Sequence, residues 1–168
     1  MGISNAEQII WATSLSANDA SEKENVGAVR VEDNTTYGRR KYVYVQNADA
    51  AVTISRYDAV AWDRASYLKK VTSDYSDTSL QLPAGVALNT INPSYYGWIL
   101  VAGYAEVINQ DGGGDVVTGD SLVLGSVDGR VNREASGTGP TVTLLGIADV
   151  IDVGTYTCSG YVRCGGAV

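Results

Sequence analysis

The chain has 168 residues, of which 45% are hydrophobic and 18% are charged, with 19 Gly, 11 Tyr and no Phe. That length lets one domain bury roughly 70% of the surface that its unfolded chain exposes, and the composition disfavours disorder. Twelve Lys plus Arg against nineteen Asp plus Glu give a formal net charge of −7, which repels nucleic-acid phosphates and anionic lipid, so neither nucleic acid nor a membrane is an expected partner.

The first 25 residues lack sustained periodicity and predict an extended N-terminal arm, which precedes a β-domain over residues 26–168. Ile9, Ile10 and Trp11 are its apolar triple, a candidate interface with a partner or a sister subunit; the alternative is that they cover the chain's own core. Asn18 or Asp19 could also cap a short helix in the arm. The first lysine is Lys23 and no apolar run approaches about 18 residues, so neither a secretory signal nor a spanning helix is predicted.

The first half of the domain alternates like strands. VGAVRVED and KYVYVQ flank a turn at Asp33-Asn34, and after a turn at residues 47–50 the segment AVTI resumes a strand. YDAVAWD and YLKKVT then flank residues 64–66 as a second hairpin. The alternative there is a helical stripe of Tyr57, Val60, Ala61, Arg64, Leu68 and Val71; the strand-like neighbours favour the hairpin.

The second half consists of short β segments separated by Gly, Asp, Asn and Pro. They are PAGVALN, YYGWILVAGYAEVIN, GDSLVLG, GRVN, TVTLLGIADVID and TYTCSGYVRC. In the second of these Trp98 and Leu100 alternate with Ile99 and Val101, which predicts a central strand with two apolar faces, and Trp98 as core. The whole pattern predicts an all-β fold, a small closed or partly open β-barrel or sandwich with an N-terminal extended arm.

The two cysteines, Cys158 and Cys164, lie around Ser159-Gly160, which reads as a two-residue hairpin turn. In that hairpin Cys158 lies opposite Tyr161 and Cys164 opposite Thr155, so the strand pleat points the two thiols to opposite faces of the sheet. Free thiols are therefore predicted. A longer turn would instead allow them to pair.

Catalytic and metal-binding patterns are sparse. The chain has no histidine, which removes Ser-His and Cys-His nucleophiles and leaves two cysteines, too few for a four-ligand zinc site. Asp111, Asp115 and Asp120 surround a glycine tip of a kind that sometimes binds calcium, but their spacing is not that of an EF-hand, and a solvated turn between two strands is the favoured explanation. A pair of carboxylates across a cleft, as in glycosidases, stays open. The sequence thus predicts no enzyme, no cofactor and no metal.

Several segments resemble virion structural proteins of tailed bacteriophages, notably small capsid decoration or cement proteins. They are GVALNTINPSYYGWILVAGYAEV, VVTGDSLVLGSVDGRV and LLGIADVIDVGTYTCSGYVRC, and VRVEDNTTYGRRKYVYVQNADAAV is similar to the opening strands of that group. The resemblance spans roughly residues 26 to 164 and rests on short glycine-based motifs in a shared order.

The resemblance implies a β-barrel-like module on the outer surface of the phage capsid, in the virion, that clamps neighbouring subunits of the major capsid protein after shell expansion. Decoration proteins of this kind are often homotrimers, so a second copy of the chain is another expected partner. The alternative function is a tail or head-fibre module that binds a glycan or receptor, with Tyr95 and Tyr96 beside Pro93 as the place for sugar stacking.

Overall fold

The computed structural model describes residues 11–63, 65–66, 69–74, 82–112, 116–134, 145–152 and 156–164, and their regular structure is all β. The strands are β1 (Val29–Asn34), β2 (Gly38–Asn47), β3 (Ala59–Trp62), β4 (Lys70–Thr72), β5 (Pro83–Ala87), β6 (Tyr96–Asn109), β7 (Ser121–Leu124), β8 (Val131–Arg133), β9 (Gly146–Asp152) and β10 (Thr157–Arg163). The predicted fold class is confirmed.

Five strands close into a ring. β2 pairs with β4 in parallel, β4 with β3, β3 with β5, β5 with β6, and β6 returns to β2, all antiparallel after the first pair. The second half of β6 leaves the ring to pair with β10, and β9, β7 and β8 extend the sheet from there. The architecture is therefore a small barrel-like ring that shares one long strand with a second sheet.

Two apolar clusters lie on opposite faces of β2 and β6, because successive side chains of a strand point to opposite faces of the sheet. Val43, Ile99 and Val101 belong to the cluster inside the ring. Tyr44, Trp98 and Leu100 belong to the second cluster, which also takes in β9 and β10. β6 thus has two buried faces, and the predictions of a central strand and of Trp98 as core are confirmed.

The predicted hairpin between residues 57 and 72 is also confirmed, because Ala61 and Trp62 lie opposite Thr72 and Val71 in an antiparallel pair. The helical alternative is wrong there. The helix considered near Asn18 is absent from the described part of the arm, where Asp19 instead forms a bridge with Tyr96.

The strand predicted at AVTI is reduced to one isolated bridge between Ile54 and Ile91. The buried side chain of Asn47 explains the difference. Its Nδ2 donates to the carbonyl of Val52 at 2.8 Å and to that of Ile91 at 3.1 Å. The Asn47 side chain therefore forms hydrogen bonds with backbone carbonyls that would otherwise bond to a neighbouring strand.

The predicted turn at Ser159-Gly160 is wrong, since β10 runs through both residues with only a bulge. β10 is a central strand with β6 on one side and β9 on the other, and this double pairing outweighs the local turn preference. The two cysteines are nevertheless free thiols, as predicted, and both are buried in the second cluster.

Gly103 allows β6 to pass from the ring to the second sheet. Its φ of 114° lies in a region that side chains disfavour, and a Cβ there would sit 2.7 Å from the carbonyl oxygen of Arg39. Gly119 has a similar φ of 92° but open space around the same position. A comparison of substitutions at the two glycines therefore distinguishes the cost of an unfavourable φ from the cost of a steric clash.

We expect Gly103→Ala to lower the free energy of unfolding by about 2 kcal/mol or more, because it adds a backbone clash to an unfavourable φ. Gly119→Ala should cost only about 1 kcal/mol, since it carries the conformational term alone. Urea denaturation of both variants checks this. Equal losses would show that the close approach of β6 to β2 at Gly103 is wrong.

Candidate interaction surfaces

The described part of the N-terminal arm packs on the chain's own domain. The ring of Trp11 meets that of Trp98 edge-on at 5.3 Å, and Trp98 Nε1 donates to Thr13 Oγ1 at 2.9 Å. Ala17 is buried in the second cluster. Trp11 therefore contributes to covering the core, in line with the intramolecular alternative.

Ile9 and Ile10 lie outside the described residues. An interface role for the triple Ile9, Ile10 and Trp11 stays a prediction, as does the division of the chain between residues 25 and 26.

Strand β1 is an edge of the sheet, paired within the described structure with β2 alone. Val29 and Val31 are 40% and 53% exposed, and alternation places them on one face. Arg30, on the other face, donates from Nη1 to the Thr13 carbonyl at 3.2 Å and forms an ion pair with Glu32. Trp11 and Thr13 of the arm thus lie over the Arg30 face of β1, and the opposite face of this edge strand carries exposed apolar side chains.

The basic cluster of Arg39, Arg40 and Lys41 follows the β1–β2 turn. Arg39 Nε lies 2.9 Å from Asp33 Oδ1, and this guanidinium lowers the pKa of the Asp33 carboxyl by hydrogen bonding and opposite charge. Arg40 pairs with Glu106 at 3.2 Å. Since carboxylates match both arginines, the cluster does not form a strongly positive patch.

A row of aromatic side chains crosses the tip of the same hairpin and the second sheet. Tyr37 stacks on Tyr104 at 5.2 Å with an interplanar angle of 7°, and Tyr104 meets Tyr161 edge-on at 5.2 Å. Ile147 lies opposite Tyr161 on the next strand, and both are more than half exposed. We call Tyr37, Tyr104, Tyr161 and Ile147 the tyrosine row.

An open groove of about 580 Å³ lies along the tyrosine row. Its polar lining includes Thr36, Arg39 and Asp149. Sequence reasoning missed this surface, because its tyrosines come from three distant segments that only the strand pairing brings together.

Tyr95 and Tyr96, predicted as the place for sugar stacking, are half-buried. The ring of Tyr96 stacks on Tyr44 at 6.1 Å, and Tyr95 packs against the cluster inside the ring. Both side chains therefore contribute to packing.

Three cavities in the described structure bear on catalysis. Each is lined by a single carboxylate: Glu106 in one of about 230 Å³ beside Arg40 and Arg56, Asp149 along the tyrosine row, and Glu22 near Lys69 and Lys70. None of the three supplies the carboxylate pair that a glycosidase would need. That the chain is not an enzyme stays a prediction.

Two of the three aspartates of the candidate calcium site, Asp111 and Asp120, lie within the described residues. Asp111 accepts a hydrogen bond from Ser126 Oγ at 2.9 Å, and Asp120 Oδ2 accepts one from the Val117 amide at 2.9 Å. Asp115 lies outside the described residues. Among the residues with assigned positions there is no group of three or more His, Cys, Asp or Glu placed to hold a metal ion.

The described segments include no helix with the length and apolar character needed to cross a membrane.

Burial raises the pKa of Cys158 to about 11 and that of Cys164 to about 12. Near pH 8 both thiols are therefore protonated as well as inaccessible, and the thiolate is the reactive form. We expect a chromogenic disulfide reagent to label neither cysteine in the native protein and both after unfolding in denaturant. Rapid native labelling would contradict the burial, and a lack of labelling after unfolding would indicate a disulfide.

No protein-family model matches the chain, and no curated protein matches it. Among solved structures, the N base of head fiber gp8.5 of bacteriophage phi29 is similar, with a TM-score of 0.49 and 16% sequence identity over 73% of this chain and 94% of that one. That degree of similarity does not establish a common fold or a common function, so the functional assignment rests on the residues of this chain.

Proposed function

We propose that the chain is a capsid decoration protein of a tailed bacteriophage. It binds the outer surface of the assembled head and stabilises contacts between subunits of the major capsid protein. The observation that carries this proposal is the edge strand β1, which pairs with β2 alone among the described strands and carries the exposed side chains of Val29 and Val31. The sequence resemblance to decoration proteins supports the same function.

An exposed edge strand suits protein binding because a partner strand can add to it. Main-chain hydrogen bonds then give affinity, while alternate side chains give specificity. Ile9 and Ile10 precede the part of the arm that lies over the Arg30 face of β1, and we propose that they add apolar contacts at the same interface. The net charge of −7 suits a surface position away from the packaged genome.

A decoration protein can stabilise a shell by binding alone, without catalysing a reaction. Any molecule that binds the assembled shell better than its separate subunits shifts the equilibrium towards assembly. Repetition over many equivalent sites lets a modest contact stabilise a whole shell. In this proposal the chain is not an enzyme and requires neither a cofactor nor a metal.

Co-sedimentation with assembled heads tests the proposal. The purified chain should bind expanded heads of its phage saturably and bind unassembled major capsid protein much more weakly. Saturated heads should also resist disruption by heat or denaturant better than bare heads. Failure to bind heads, or equal binding to separate subunits, would overturn the proposal.

The second candidate function is a tail or head-fibre module that binds a glycan or receptor. A different observation favours it, the exposed tyrosine row with its polar groove.

A further inference from the structure

We infer that the groove along the tyrosine row is a binding site for a neutral oligosaccharide. The inference deepens the second candidate function and does not depend on binding to capsid. It rests on three features of the groove: the arrangement of the aromatic rings, the polar groups beside them and the balance of charge.

The aromatic rings form a fixed platform. Tyr104 lies directly opposite Tyr161 in the pairing of β6 with β10, and Tyr161 lies opposite Ile147 in the pairing of β10 with β9. The ring of Tyr37 stacks on that of Tyr104, and the Arg40 guanidinium lies 4.6 Å from the centre of the Tyr37 ring. The ring contacts therefore hold Tyr37, Tyr104 and Tyr161 in place before any ligand arrives, which lowers the entropy cost of binding.

Tyr161 is the ring left for a ligand. It is 58% exposed although it sits in a central strand, and it makes an edge contact with Tyr104. An aromatic face carries partial negative charge and attracts the weakly positive C–H groups of an apolar ligand surface. A pyranose ring offers such C–H groups on its faces and hydroxyls at its edge.

The groove supplies partners for those hydroxyls. The Thr36 hydroxyl can donate and accept, the Arg39 guanidinium donates, and the Asp149 carboxylate accepts. Aromatic rings beside a few polar groups that fix the orientation of a ligand are common in small-molecule sites. The groove, at about 580 Å³, has room for a short oligosaccharide.

The balance of charge selects a neutral ligand. The charge of Arg39 is matched by Asp33, and that of Arg40 by Glu106. The charged side chains of the lining are Arg39, already paired with Asp33, and Asp149, so a sugar that carries a carboxylate would meet repulsion from Asp149 without an unmatched positive charge to offset it. A neutral hexose or N-acetylhexosamine chain meets none.

The test is a titration of the full chain with maltotriose, chitotriose and trigalacturonate, followed by backbone amide NMR shifts. At least one neutral trisaccharide should shift residues of β6, β9 and β10 around the groove, and trigalacturonate should bind more weakly. Tyr161→Ala should weaken the neutral sugar at least about tenfold. Tyr156→Ala, which removes a tyrosine with 60% exposure that does not line the groove, is the matched control and should leave affinity unchanged.

Several results would overturn the inference. They are absence of binding to both neutral sugars, tighter binding of trigalacturonate, full affinity in Tyr161→Ala, or equal losses in the two variants. Co-sedimentation of Tyr161→Ala with heads keeps the two proposals apart. Normal head binding is expected, whereas its loss would make the groove a protein contact and contradict the sugar site.

Discussion

Replacing Trp98 with alanine should lower the free energy of unfolding by about 3–5 kcal/mol. Trp98 is fully buried where three parts of the chain meet: the arm through Trp11, strand β2 through Tyr44, and the long strand β6 itself. Removal of the indole leaves a cavity and also removes the N–H that donates to the half-buried Thr13 hydroxyl. Since domains of this size are stable by about 5–15 kcal/mol, this single change removes a large share.

Trp98→Phe is the matched control for that experiment. It keeps most of the apolar volume and loses the hydrogen bond to Thr13, so we expect a loss of about 1–2 kcal/mol. Urea denaturation followed by circular dichroism measures both variants. A loss below about 1 kcal/mol for Trp98→Ala would contradict the position of Trp98 between the arm and the sheet.

Val31→Glu should weaken binding to assembled heads at least about tenfold with little change in the stability of the isolated protein. Val31 is 53% exposed and lies opposite Lys41, so the new carboxylate is accommodated in the free chain. Against a docked partner the same carboxylate would be desolvated without a matching charge, which costs more than the valine contact it replaces. Charged side chains on edge strands block strand addition for this reason.

Val127→Glu is the control for the edge variant. Val127 is 45% exposed, lies between β7 and β8 and has no place in the proposed interface. Its replacement by glutamate makes the same chemical change and should leave head binding intact. Similar losses in the two variants would indicate a general effect of negative charge, and unchanged binding of Val31→Glu would remove β1 from the interface.

Local patterns in the sequence predicted much of the fold. β6 was recognisable because Trp98, Ile99, Leu100 and Val101 form a continuous apolar run, which puts apolar side chains on both faces of a strand. The hairpin of β3 and β4 followed from short apolar runs around a turn. Closure into a five-stranded ring was expected only as one of several β architectures, because it depends on the parallel pairing of β2 with β4.

The errors have a common physical cause, which is that tertiary pairing overrides local preference. Ser159-Gly160 has turn chemistry, yet two neighbouring strands hold it extended. AVTI has strand composition, yet the Asn47 side chain takes backbone carbonyls there and across from it.

The surfaces were less predictable than the fold. The tyrosine row joins residues that are far apart in sequence, so no local motif indicates it. The sequence of the arm likewise has no pattern that distinguishes a segment that docks on a partner from one that covers the chain's own core. The contacts of Trp11 and Ala17 show that residues 11–20 cover the chain's own core. Any truncation that probes Ile9 and Ile10 should therefore end before Trp11.

A density map of the assembled phage particle tests the central claim most directly. Decoration predicts copies of this all-β fold on the outer face of the head, with the β1 edge against the major capsid protein and the tyrosine row towards solvent. Density for the chain only in the tail or inside the shell, or with β1 facing solvent, would contradict it.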